Sequence, residues 1–301
     1  MRIVAALGGN ALLERGEVPA AEIQQHHVVD AVHALAPLAA DHELVVTHGN
    51  GPQVGLLAVE SAADPVLPGP YPFDALGAQT QGMIGYWLVL ALANALPSRR
   101  VVAVVTRTLV DDHDPAFKAP TKFVGQVLSE PEAADRAARL GWTVRRDGAS
   151  WRRVVASPEP KGLLELATIR TLVDDGTVVV CAGGGGIPVV ADAQGTLRGV
   201  EAVIDKDLAA SLLARELGAD LLLLLTDVAA VEVCWGTPVA RPLHHVAAEV
   251  LRSKRFAAGS MGPKVDAACR FVEATRKPAA IGRLDDAARL VAGTSGTIVT
   301  S

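Results

Sequence analysis

A chain of 301 residues, half of them hydrophobic, is long enough to bury one large core or two small ones. Aromatic residues make up only 4% of it, so the core must be built from Ala, Val and Leu, a profile that favours a parallel sheet wrapped in helices. A net charge of −5 and a pI near 5.9 argue against a nucleic-acid or other polyanion partner, so any positive charge has to be concentrated locally.

In chain order, short apolar runs alternate with helical stretches in the βαβ manner. Strands are expected at Arg2 to Leu7, Glu43 to Thr47, Val101 to Thr106, Thr177 to Cys181 and Leu221 to Thr226. These runs are too short for helices and end at polar residues or glycine. Helices are expected at Ala21 to Ala40, Gln53 to Ala62, Gln79 to Leu96, Gly162 to Asp174, Asp207 to Leu217 and Met261 to Thr275, with Gly218 as a C-terminal stop. No run approaches the ~18 apolar residues of a membrane span. Residues 1 to 7 enter a strand pattern without a signal-peptide region. Cys181, Cys234 and Cys269 are odd in number and lack CxxC spacing, which fits reduced thiols in a cytoplasmic protein.

The alternation breaks between about Arg107 and Pro160, where Lys118, Lys122, Arg145, Arg146, Arg152 and Arg153 gather and Asp147-Gly148 is suited to a tight hairpin turn. This reads as a small basic lobe inserted in the main sheet, either a surface excursion or a lid over phosphates. The segment from Asp64 to Pro72 is a proline-stiffened loop.

Three glycine-rich breaks follow apolar runs directly: Leu7-Gly8-Gly9-Asn10, His48-Gly49-Asn50-Gly51-Pro52 and Cys181-Ala182-Gly183-Gly184-Gly185-Gly186-Ile187-Pro188. A parallel strand that ends in glycines and enters a helix presents bare backbone N–H groups, backed by the positive end of the helix dipole. Three such edges facing one crevice make an anion site. Lysine usage points the same way. The chain carries 21 arginines and 7 lysines, and a lysine offers a compact charge on a slim stem that enters a phosphate crevice where a planar guanidinium does not fit. Lys122, Lys206 and Lys264 are each flanked by Gly, Pro or paired Asp, which points to phosphate neutralisation rather than a solvated surface role.

The order of these blocks resembles the carbamate kinases of the amino acid kinase superfamily. The matching stretches are Ala6 to Ala11, His48 to Gly55, Thr80-Gln81-Gly82-Met83-Ile84-Gly85-Tyr86-Trp87, Phe117 to Lys122, Gly183 to Val190, Gly199 to Asp207 and Gly259-Ser260-Met261-Gly262-Pro263-Lys264. The resemblance covers nearly the whole chain. It implies an α/β fold, a three-layer αβα sandwich around a mostly parallel sheet, spanning residues 1–301 with a protruding subdomain inserted at 107–160. It also implies a homodimer that transfers a phosphoryl group reversibly between carbamoyl phosphate and ADP, giving ATP and carbamate, with Mg²⁺.

Carried over to matching positions, the catalytic set is Lys122, Lys206, Asp207 and Lys264. Gly8, Gly9, Asn10, Gly49, Asn50 and Gly51 would hold the carbamate and the transferring group. Gly184, Gly185, Ser260, Met261 and Lys264 would meet the nucleotide, and Thr226, Asp227 and Val228, ending the leucine strand at the carboxyl edge where α/β sheets hold ligands, are expected at its base. No protein metal site is expected, the Mg²⁺ being held mainly by nucleotide phosphates and water. Other superfamily kinases commonly place a lysine where this chain has Ala6, and carbamate kinases resemble this chain in lacking it; Lys122 would supply the compensating charge. Thr121-Lys122-Phe123-Val124-Gly125 departs from the family pattern, in which proline and isoleucine stand at the places of Phe123 and Val124.

Carbamate is already an oxyanion, so its attack on phosphorus needs no general base. Catalysis is then alignment plus charge neutralisation through a loose transition state. Lys206 and Lys122 are assigned to the phosphoryl oxygens, Lys264 to the nucleotide phosphates, and Asp207 to orienting a lysine or a metal-bound water. Asp207 also sits where a helix start favours an acid for the dipole alone. His48 reads as a structural hydrogen-bonder. A dehydrogenase is excluded, because no third glycine follows Gly9 in register. An acetylglutamate-type or UMP kinase, and a non-catalytic sensor on the same fold, are the remaining rivals.

Overall fold

The computed structural model describes residues 1–14, 16–67, 69–256 and 261–301. Strands β1 (Arg2–Leu7), β2 (Glu43–His48), β3 (Val101–Val104), β4 (Val178–Cys181), β5 (Leu221–Thr226), β6 (His245–Ala247), β7 (Ala279–Arg283) and β8 (Thr297–Thr300) form one sheet in the order β6-β8-β7-β5-β1-β2-β4-β3. Every neighbouring pair is parallel except β7 with β8. The helices are α1 (Ala21–Asp41), α2 (Gly51–Ala63), α3 (Phe73–Ala95), α4 (Glu130–Leu140), α5 (Leu166–Asp174), α6 (Lys206–Leu217), α7 (Ala248–Arg252), α8 (Met261–Thr275) and α9 (Ala287–Val291).

The sheet's pleat sorts its side chains into two cores. Ile3, Ala5, Leu7, Val46, Val180 and Leu223 pack with Val32 and Leu35 of α1, Ile84 and Leu88 of α3, and Leu290 of α9. Val4, Ala6, Val45, Val179 and Leu222 pack on the other face with Ile169 of α5, Leu213 of α6 and Phe271 of α8. The result is a three-layer αβα sandwich. Because the central strands are covered on both faces, they read in the sequence as unbroken apolar runs.

Besides the main sheet the described residues form three smaller ones, one of them the antiparallel pair Val231–Val233 and Arg241–Leu243. Leu197–Gly199, Ile187–Ala191, Arg107–Leu109 and Gly162–Leu163 lie side by side in that order. Beyond them, Lys122–Leu128, Ser150–Val155 and Val144–Asp147 make an antiparallel three-stranded sheet. Helix α4 lies between its first and last strands in the chain. Ser129 and Glu132 close that helix start with a capping box, and Gly141 ends it in the left-handed conformation at φ +66°. Asp147 pairs with Ser150, so the hairpin turn falls on Gly148 and Ala149, one position later than Asp147-Gly148.

Helix α3 begins at Phe73, ahead of the expected Gln79, and α5 begins at Leu166 because Gly162–Leu163 is drawn into pairing with Thr108–Leu109. No described helix is long and apolar enough to cross a membrane.

Candidate active site

The site is assembled at the carboxyl ends of four neighbouring strands, β5, β1, β2 and β4, where an open parallel sheet gathers ligands. Gly8 N–H donates to Leu225 O and Gly49 N–H to Leu7 O, each at 3.0 Å, so the first two glycine turns extend the ladder by one bond before leaving it. Gly9 and Asn10 open a short 3₁₀ turn, and Gly51 opens α2 behind Asn50. The two turns touch: a Cβ on Gly49 would come within 2.9 Å of both Gly9 N and Cα, so no side chain fits there.

The third turn is fastened to the second. Gly184, at φ +65°, faces Asn50, and an added Cβ would come within 2.2 Å of Asn50 Nδ2. Asn50 Nδ2 donates to Thr80 Oγ1 at 2.9 Å. Gln81 is buried and binds both strand ends: its Nε2 donates to Thr106 O and Gly183 O at 3.1 Å each, and its Oε1 accepts from Thr106 N–H at 2.8 Å. Thr108 Oγ1 donates to Gly185 O at 2.8 Å. The sequence reading did not single out Gln81, Thr106 or Thr108 as supports of this turn. Gln81 stands in a matching block, but a polar residue inside a helix does not announce which turn it will hold.

The lysines converge on two adjacent aspartates. Lys206 Nζ donates to Asp207 Oδ1 at 2.5 Å and Lys264 Nζ to Asp207 Oδ2 at 3.2 Å, all three groups nearly buried. Lys122 Nζ, arriving from the three-stranded sheet, donates to Asp205 Oδ2 at 2.8 Å. Asp205 is also the N-cap of α6, its Oδ1 accepting from the N–H groups of Asp207 and Leu208. Three ammonium groups thus surround two carboxylates at a helix N-terminus and leave one surplus positive charge. Burial raises the Asp207 carboxyl, but the two lysines outweigh it and hold it well below the usual carboxylate range. Burial also lowers the Lys206 ammonium, with Asp207 opposing. The two features adjoin, since a Cβ on Gly185 would come within 2.8 Å of Ile204 O, two residues before Lys206.

His48 lies beneath this cluster. Its Nδ1–H donates to Gly49 O at 2.8 Å, which fixes the tautomer, and burial, aided by the Lys206 charge, lowers its pKa to about 4. It is a neutral hydrogen-bonding group at physiological pH. The Cys181 thiol is pushed up to about 12 by burial and is no nucleophile. Thr226 ends β5, its Oγ1 donating to Asp227 Oδ1 at 3.1 Å, with Val228 half-buried beyond. Met261, at the start of α8, packs against the core. Ser260 lies outside the described residues. Phe123, where the resemblance led to the expectation of a proline, lies under the Arg152 guanidinium at 5.6 Å, while Val124 is buried against Val54, Phe73 and Val155.

The fold and site together define an enzyme class. The family model for the amino acid kinase family matches residues 1–283, and the chain belongs to that family. It is 52% identical to the carbamate kinase of Rhizobium meliloti (strain 1021), over 100% of this chain and 94% of that one, and 48% identical to that of Haemophilus influenzae, over 100% and 97%. Carbamate kinase from Giardia lamblia bound to AMP-PNP superposes with a TM-score of 0.91 at 40% identity, covering 99% of this chain and 98% of that one. Within the family, its place is among the carbamate kinases.

Proposed function

We propose that the chain transfers a phosphoryl group reversibly between carbamoyl phosphate and ADP. The observation that carries this reading is the convergence of Lys122, Lys206 and Lys264 on Asp205 and Asp207 beside the three glycine turns. A nucleophile that is already an oxyanion needs positioning and charge, and the site offers both without a base: His48 is held neutral and locked to Gly49. The turns formed by Gly8, Gly9, Asn10, Gly49, Asn50 and Gly51 meet the carbamate and the migrating group through the backbone N–H groups of Gly9, Asn10, Asn50 and Gly51, those of Gly8 and Gly49 being spent on the strand ladder. Lys206 and Lys122 neutralise its equatorial oxygens, and Lys264 the nucleotide phosphates. Asp207 keeps the two buried ammoniums apart from solvent and aimed inward. Gly184, Gly185, Thr226, Asp227, Val228 and Met261 line the nucleotide's place.

Mg²⁺ fits this site as a companion of the nucleotide. Among the described residues no group of three His, Cys, Asp or Glu is arranged to hold a metal. Both oxygens of Asp207 already accept from lysines, and Asp205 is engaged on both sides. Phosphate oxygens and water would supply most of its ligands, with Asp207 orienting a lysine or a metal-bound water; when bound, it would neutralise phosphate charge.

The region 107–160 is proposed as a lid, its Lys122 reaching the site through the contact with Asp205. A homodimer is proposed through the open edge of the main sheet, where Ala103 and Val105 of the β3 segment and Tyr86 and Leu90 of α3 are exposed. A cytoplasmic setting is supported by the unpaired Cys181, Cys234 and Cys269.

The test is ATP formation from ADP plus carbamoyl phosphate, run beside ATP-dependent phosphorylation of acetylglutamate and of UMP. Activity confined to the first reaction is expected. Turnover of acetylglutamate or UMP in its place would assign the chain to a rival kinase, and no turnover of any would leave the sensor.

A further inference from the structure

One arginine of the three-stranded sheet reaches across to the body of the molecule. The Arg153 guanidinium lies between two rings, 4.5 Å from the centroid of Trp142 and 4.7 Å from that of Phe73, while its NH2 group donates to Glu201 Oε1 at 2.7 Å. Trp142 belongs to the inserted lobe, whereas Phe73 opens α3 and Glu201 precedes α6. The other oxygen of Glu201 accepts from Phe73 N–H at 2.8 Å, so one carboxylate ties the lobe's arginine to the first turn of the helix that carries Thr80 and Gln81.

Two backbone contacts run beside this junction. A Cβ on Gly55 of α2 would come within 2.6 Å of Gly125 Cα, which marks how closely lobe and body approach. Val203 N–H donates to Ala156 O at 2.9 Å, joining the end of the Ser150–Val155 strand to the segment leading into Asp205. In the lobe's sheet Lys122 pairs with Val155 and Val124 with Arg153, so Lys122 and Arg153 project from the same face, one pair of residues apart.

We propose that Arg153, clamped by Phe73, Trp142 and Glu201, is a positioning residue that docks the lobe and thereby sets where Lys122 Nζ stands over the transferring group. This rests on the reading of Lys122 given above. A flat, delocalised cation is required, because it must stack on two rings and pair with a carboxylate at once.

The experiment measures kcat and KM for ATP formation in R153M, R153K, E201Q, K122A and the R153M/K122A double variant, with hydrogen exchange of residues 122–128 and 221–226 in each. R153M is expected to lower kcat by about 10- to 100-fold, with KM for ADP held within about threefold. R153K and E201Q fall between it and wild type. Exchange should quicken in 122–128 and stay unchanged in 221–226, which separates loss of docking from loss of the fold. The decisive outcome is non-additivity: in the K122A background, R153M should cost less than about twofold more. Wild-type kcat in R153M and E201Q, or losses that multiply in the double variant, would overturn the proposal. Wild-type kcat in K122A would instead overturn the role of Lys122 on which it stands. Should R153M fail to fold, E201Q and R153K carry the same comparison, E201Q being combined with K122A for the non-additivity test.

Discussion

At the scale of single residues, Asp207 and its two lysines behave as one charged unit, and each member answers a different question. If Lys206 acts as proposed, Lys206→Ala removes a donor for developing charge, and kcat should fall by roughly 10²-fold, about 3 kcal/mol, with the folded protein otherwise intact. A steady-state assay at saturating substrate decides it, and unchanged turnover would remove Lys206 from the mechanism. Asp207→Asn does the reverse, leaving two nearly buried ammoniums facing each other without their shared counter-charge. Breaking a buried ion pair from one side costs about 3–5 kcal/mol. The melting temperature of Asp207→Asn should therefore drop by several degrees, and ATP, which under the proposed roles brings negative charge to the same amines, should recover a larger part of that loss than it adds to wild type. Equal shifts with and without nucleotide would show that the lysines do not face the phosphates.

At the scale of elements, Asp205 links a helix to the lobe. It caps α6 through two backbone N–H groups and holds Lys122 with its other oxygen. Asp205→Asn retains an N-cap of similar strength while losing the charge that holds the lysine, whereas Asp205→Ala loses both. The alanine variant should be less stable than the asparagine variant by about 1 kcal/mol, measured by denaturant unfolding; equal stabilities would refute the cap.

The same residue shows what the sequence gives away and what it hides. Lys206 was legible because a lysine between two aspartates at a helix start is a local pattern. Asp205's hold on Lys122 joins positions far apart in the chain and has no local signature. The central strands β1, β2, β4 and β5 were legible because burial on both faces makes them continuously apolar, and β3 because its run is just as apolar. The strand β7, Ala279-Ala280-Ile281-Gly282-Arg283, is alanine-rich with little intrinsic strand preference, and β6 is three residues long, so tertiary pairing rather than propensity decides both. Arg153 was visible only as one charge among several in the basic stretch, because its significance depends on the placement of Phe73 and Glu201.

At the scale of the whole molecule, His48 is buried at the end of β2 between the second and third glycine turns, which makes folding stability depend on a proton. Above pH 6.5 the imidazole is neutral in both the folded and the unfolded chain. Below it, the unfolded chain takes up a proton that the folded protein refuses until about pH 4, since burial and the Lys206 charge oppose it. The unfolded state then binds more protons, so stability falls as pH drops from 6.5 to about 4. At 1.36 kcal/mol per pH unit the ceiling is roughly 3 kcal/mol. Asp207 extends the loss to lower pH, because its folded pKa is depressed below 3.8 and its stabilising charge disappears as acid neutralises it. His48→Gln keeps a donor for Gly49 O and removes the titration. Unfolding free energies measured in denaturant at pH 7, 6, 5 and 4.5 should decline more steeply for wild type than for His48→Gln, and the two curves should converge on acidification. Parallel curves across that window would mean that the imidazole is protonated as readily inside the fold as outside it.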